Sequence, residues 1–120
     1  MQKEFSIKIF EDIVEISLYE KPVLDELKKA MHEVAEIKGI YSRLWIFEKG
    51  IDLRGDELNN IADVAKHILP VHSKAAIVAE DDLSFGLMRI HDVYRKQEQH
   101  ETRVFRSKEK AINWLKGEHP

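Results

Sequence analysis

Cysteine is absent from the 120 residues of the chain. That excludes disulfides, a thiol nucleophile and any thiolate site for zinc or an iron–sulfur cluster. A charge excess is missing too: the formal net charge is −3 and the pI is near 6.1. There is no general attraction to nucleic acid or to an anionic membrane, although local basic patches remain open. No apolar run approaches the length that spans a bilayer, and the opening MQKEFSIKIF has no apolar signal core, so a cytoplasmic protein is expected. Repeats and low-complexity segments are also lacking. What is present is ordinary globular composition, 43% hydrophobic and 34% charged, which argues against disorder. At this length one domain, residues 1–120, buries about two-thirds of its unfolded surface in a single core.

Ala75, Ala76, Ile77, Val78 and Ala79 form an unbroken small-apolar run that suits a strand covered on both faces, expected at the centre of a sheet. Glu80, Asp81 and Asp82 interrupt it. Leu83, Leu87, Ile90 and Tyr94 then recur at helical spacing, with Asp82 the expected N-cap facing the positive end of the helix dipole.

Earlier in the chain, apolar residues alternate in 5–9 and again in 14–18, with Glu11 and Asp12 between them, which predicts a hairpin whose strands each put one face on the core. Pro22 suits a first helical turn, and Leu24, Leu27, Met31 and Val34 trace the stripe of a helix over 23–38 with Gly39 as its C-cap. Residues 44–47 read as a strand. Asp56 resembles the cap of a second helix with the stripe Leu58, Ile61, Ala65, Ile68 and Leu69, stopped by Pro70. Residues 102–105 make a last strand, Ser107 caps a last helix, and Ala111, Ile112, Trp114 and Leu115 anchor it. The order ββαβαβαβα predicts an α/β fold: a mostly parallel, mixed five-stranded sheet with four helices, the opening hairpin supplying an antiparallel edge.

Sequence motifs for chemistry are sparse. Gly50 and Gly55 belong to neither a dinucleotide fingerprint nor a P-loop, and no serine sits in a nucleophile elbow. The six histidines, among them His67, His72, His91 and His100, fit no zinc spacing, so neither metal nor other cofactor is expected. Glu80 and Asp82 lack the desolvation that an acid–base pair needs. The loop 48–56 follows a parallel strand at its carboxyl end, where open α/β sheets place ligand crevices, and Asp52, Arg54 and Asp56 are its polar candidates. A helix cap with a loop ion pair explains the same residues. The central helix carries an apolar excess: Phe85, Met88 and Val93 widen its face, and Gly86 leaves room for an approach to the backbone. Phe85, Leu87 and Met88 are therefore candidates for lining a hydrophobic ligand site. Core contact with neighbouring helices, or a dimer interface, is the cheaper explanation of the same residues.

The run AAIVAEDDLSFGLMRIHDVY over 75–94, followed by TRVFRSKEKAINWL over 102–115, resembles the SpoIIAA-like family of bacterial proteins. Val104-Phe105-Arg106 leading into Ala111 and Trp114-Leu115 is the most specific part, similar to that family's last strand and A-x-x-W-L helix. The resemblance implies a STAS-type fold, related in shape to CRAL-TRIO lipid-transfer domains, and a carrier of small hydrophobic molecules with some membrane association. The family name also suggests anti-anti-sigma factors switched by phosphorylation in an Asp-Ser-Ser-Gly type motif. Here the matching stretch is Asp52-Leu53-Arg54-Gly55-Asp56-Glu57, which has no hydroxyl to phosphorylate. Three function classes follow: a non-enzymatic binding domain for a small apolar or lipid-like molecule, a phosphorylation-independent interaction module or homodimer of the STAS kind, and an enzyme using Asp52, Arg54 and histidines.

Overall fold

The computed structural model describes residues 5–37, 42–51, 53–69, 74–95 and 101–117, with 91–95 in backbone only. The elements are β1 (Phe5–Phe10), β2 (Ile13–Leu18), α1 (Leu24–Ala35), β3 (Ser42–Phe47), α2 (Gly55–Ile68), β4 (Lys74–Val78), α3 (Asp82–Arg95), β5 (Glu101–Phe105) and α4 (Lys108–Leu115). The strands form one five-stranded sheet in sequential order. β1 and β2 are antiparallel and every later neighbour is parallel. This is the mixed α/β architecture that the alternation of periods predicts. β4 is an interior strand, as its apolar run implies, although β3 holds the middle position.

Sequential strand order with crossovers of one hand puts all the connecting helices on the same side of the sheet. The packing follows this. Leu27 and Met31 of α1, Leu58 and Ile61 of α2 and Met88 of α3 share one core with Val14, Ile16, Trp45, Phe47 and Ile77. α4 follows the last strand and covers the opposite face, where Ala111 and Leu115 meet Leu44, Ile46, Ala76 and Val78. A fully buried aliphatic side chain such as Ile16, Leu44 or Leu58 contributes about 1.5–3 kcal/mol.

Four local expectations are corrected by the structure. First, β2 does not keep one face wet: Glu15 and Ser17 are buried along with Val14, Ile16 and Leu18. The strand is flanked by β1 and β3, and Lys108 at the start of α4 reaches the Glu15 carboxylate at 3.0 Å, so the acid is paired where it is covered. Second, the cap of α3 is Asp81, not Asp82. Its Oδ2 accepts the Ser84 backbone N–H at 2.9 Å, and Phe85 N–H closes the first helical turn on the Asp81 carbonyl. Asp82 lies in the first turn and pairs with Arg106 instead.

Third, α2 begins at Gly55, one residue before Asp56, with Arg54 in the cap position. The Glu57 carboxylate accepts the Arg54 backbone N–H at 3.0 Å, which secures the helix start from inside the first turn. Fourth, α3 is rotated from its expected stripe. Leu83 and Ile90 are 62% and 45% exposed while Ser84 and Met88 are 1% and 2% exposed. A hydroxyl with two backbone partners has its hydrogen bonds satisfied in the interior, and apolar periodicity does not register it. The C-cap expected at Gly39 and the stop expected at Pro70 lie outside the described residues.

Candidate functional site

A cavity of about 40 Å³ lies between the sheet and the three helices α1, α2 and α3. Its floor comes from the strands: Arg43, Trp45 and Phe47 of β3, Ala75 and Ile77 of β4, and Thr102 of β5. Its roof comes from the helices: Leu27 and Met31 of α1, Ile61 and Ala65 of α2, Leu69 just beyond it, and Met88 of α3. By the same measure a water needs about 10–15 Å³, so the void has room for about three.

Register explains why a space forms there. Arg43 pairs with Ala75 and Ala75 with Thr102, so these residues form one row across adjacent parallel strands. The next row on that face is Trp45, Ile77 and Val104. Large side chains fill the second row, but Ala75 carries only a methyl group, and the roof helices cannot sink onto it while Trp45 and Ile77 hold them up. Each of Arg43, Ala75 and Thr102 is the second residue of its strand. The cavity therefore lies toward the amino ends of the parallel strands. Arg43 is only 2% exposed and is the one charged side chain among the described lining residues.

At the carboxyl ends of the strands lies a tightly bonded structural node. Gly50 takes φ of +81°, and Ile51 beyond it is buried. The Ser84 hydroxyl accepts the Ile51 N–H at 2.8 Å and donates to the Ile51 carbonyl at 3.2 Å. The Asp81 carboxyl, held by the Ser84 backbone N–H, titrates below its usual range. Nearby, Arg106 donates to the Glu80 carbonyl, pairs with Asp82 at 2.6 Å and lies 4.3 Å from the centroid of the Phe85 ring.

Among the described residues, Met88 is the one sequence-selected ligand residue that the structure places in the cavity wall. Leu87 is partly buried against the main core. Phe85 lies at the carboxyl-end edge under Arg106, with Arg89 at 6.0 Å on the same ring. Gly86 is exposed, and a Cβ placed there meets nothing within 4 Å. Arg54 has a side chain 77% exposed, bonded to Asp56 and Glu57, and it takes no part in the cavity. Asp52, His72 and His100 lie outside the described residues, as does the side chain of His91. His67 is exposed, with Nδ1 2.7 Å from the Asp63 carbonyl.

Sequence reading overlooked Arg43, Ala75 and Thr102 as site residues. For Arg43 a signal existed: Arg43, Trp45 and Phe47 alternate on one face. Starting the strand at Leu44 left the arginine outside it. The cavity itself has no sequence signature, because it depends on which residues register brings to one row.

No group of three or more metal-ligating side chains occurs among the described residues. No helix there is long and apolar enough to cross a membrane. Comparison with protein-family models, curated proteins and solved structures found no match to this chain.

Proposed function

We propose that this chain is a non-enzymatic, cytoplasmic binding domain that holds a small hydrophobic or lipid-like molecule between its sheet and the helices α1, α2 and α3, as a carrier or sensor. The observation that carries the reading is the apolar cavity over Ala75, with the adaptable side chains Met31 and Met88 in its roof. The resemblance of residues 75–94 and 102–115 to the SpoIIAA-like family, with its STAS-type and CRAL-TRIO-like shape, supports the same reading. The site needs no cofactor, and a chain of net charge −3 suits no nucleic-acid partner. At about 40 Å³ the space takes only the tip of a chain as it stands, and a longer body requires the roof helices to part. Peripheral membrane contact is the natural place for such a ligand to be exchanged.

Native mass spectrometry of protein purified from cells without denaturation tests this, followed by calorimetric titration with hexanol. A small organic adduct or saturable hexanol binding is expected. An adduct-free mass together with no hexanol binding contradicts the reading.

A second reading is favoured by a different observation. Leu83 and Ile90, seven residues apart on α3, lie on one face of the helix and are 62% and 45% exposed. This face suits a phosphorylation-independent interaction module of the STAS kind, with a second copy of the chain as its occupant. Sedimentation equilibrium of the wild type and of Leu83→Lys/Ile90→Lys separates the readings: a dimer dissolved by the double substitution supports the module, and a monomer throughout rejects it.

A further inference from the structure

From the outer side of β1 we infer that the chain pairs with a second copy of itself, β1 against β1 in antiparallel register about a two-fold axis at Ile7, so that the two sheets join into one. The inference rests on neither the cavity nor the Leu83 and Ile90 face of α3. β1 ends the sheet, and among the described residues no strand pairs with its outer side.

Hydrogen-bond parity shows which backbone groups point outward. The Asp12 carbonyl accepts from Ser42 N–H and the Leu18 carbonyl from Glu48 N–H. The even-numbered residues of β2 therefore turn their backbone toward β3, and the odd-numbered ones turn theirs toward β1. Ile13, Glu15 and Ser17 stand opposite Phe10, Lys8 and Ser6, and these are the pairs that exchange bonds within the hairpin. Phe5, Ile7 and Ile9 are left directing their N–H and C=O groups away from β2, a row that a further strand can take up.

Side chains select the occupant and its register. Bonded pairs across the seam must join odd-numbered residues to odd-numbered ones. With the axis at Ile7 the pairs are Ile7 with Ile7 and, on either side of it, Phe5 with Ile9, which uses the whole outward row. Phe5 and Ile7 belong to the main core, and Ile9 shares their face of the strand. Ile9 is 50% exposed in the single chain, and across the seam it gains Phe5 of the second copy as a neighbour. Lys8 falls opposite Ser6 of the second copy and keeps Glu15 opposite it in its own hairpin. Moving the axis to Lys8 sets two lysines against each other, which opposes the slip. Moving it to Ser6 leaves Ile9 with no partner in β1. The strand thus matches itself in one register, and a two-fold pairing closes without leaving a second such edge open.

Sedimentation equilibrium of the whole chain is expected to give twice the monomer mass of 14.1 kDa, and Ile9→Pro is expected to return it to one. Proline at Ile9 removes an outward N–H, so it breaks bonds of the seam and none of the hairpin. Circular dichroism checks that the variant is folded. Oxidation reads the register, with no native cysteine to interfere. Unbonded antiparallel partners lie about 4.5 Å apart at Cα, within disulfide reach. Ser6→Cys chains mixed with Lys8→Cys chains are expected to cross-link to each other, and Lys8→Cys alone is expected not to. A wild type at monomer mass at every concentration overturns the inference. A dimer that survives in folded Ile9→Pro overturns it as well, and its loss in Leu83→Lys/Ile90→Lys then places the second copy on α3. Should Ile9→Pro fail to fold, the cysteine mixture decides: no cross-link between the two variants, or one that Lys8→Cys forms equally with itself, overturns the pairing. The cavity reading stands or falls apart from all of these results.

Discussion

Ser84 and Ile51 exchange two hydrogen bonds: the serine hydroxyl accepts the Ile51 N–H at 2.8 Å and donates to the Ile51 carbonyl at 3.2 Å. They are 33 residues apart in sequence, so the start of α3 is fastened to the loop that leaves β3. Ser84 is 1% and Ile51 1% exposed, and water cannot replace either bond. Ser84→Ala is therefore expected to lower stability by about 1–3 kcal/mol, the cost of leaving buried backbone groups unsatisfied. Urea denaturation measures it, and a change within 0.5 kcal/mol, about what a surface substitution costs, contradicts the fastening role.

Gly50 and Gly55 bound the same loop and should respond in opposite ways to alanine. At Gly50, φ is +81° and a Cβ falls 2.5 Å from Ser84 Oγ and 2.6 Å from Asp81 Oδ1. Gly50→Ala thus combines left-handed strain of about 1–2 kcal/mol with displacement of the serine that holds Ile51. At Gly55 nothing lies within 4 Å, and this residue opens α2, so Gly55→Ala is expected to leave stability equal or raise it by up to about 1 kcal/mol. Parallel thermal melts check the contrast.

Acid stability depends on the same node. The Asp81 pKa lies below its ordinary value of 3.8, chiefly because the Ser84 backbone N–H hydrogen-bonds the carboxylate. A pKa lower in the folded than in the unfolded state gives stability that is fully present above pH 3.8 and is lost as pH falls through the folded value. Asp81→Asn keeps a capping oxygen but cannot titrate. Its urea midpoint is expected to fall less than that of the wild type between pH 5 and the acid limit of folding. Parallel pH dependence of the two proteins contradicts the assignment.

The architecture was legible because its signals are periodic. The small-apolar run 75–79 pointed to an interior strand, and the alternation in 5–9 and 14–18 pointed to the hairpin, though not to its pairing or to the burial of Glu15 and Ser17. The facing of α3 was not legible, since Leu83 and Ile90 satisfy helical spacing as well as Ser84 and Met88 do. A long-range hydrogen bond to Ile51, invisible to periodicity, decides between them. Of the residues selected for a ligand site, Met88 lies in the cavity wall while Phe85 is occupied by Arg106 at the carboxyl ends of the strands. The cavity depends on a small residue, Ala75, being set by parallel register beside Arg43 and Thr102. Parallel register is fixed by crossovers, and no local stretch of sequence encodes it.

Whether the space over Ala75 receives a ligand is read by methyl-resolved NMR titration with hexanol, run on the wild type and on Ala75→Val. Valine suits a strand and fills the void from below, so the variant is expected to melt no lower than the wild type. In the wild type the Met31, Met88, Ile61 and Ile77 methyls should shift saturably, and in Ala75→Val those shifts should vanish. Shifts confined to Leu83 and Ile90, or binding undiminished by valine in a folded variant, would contradict the account.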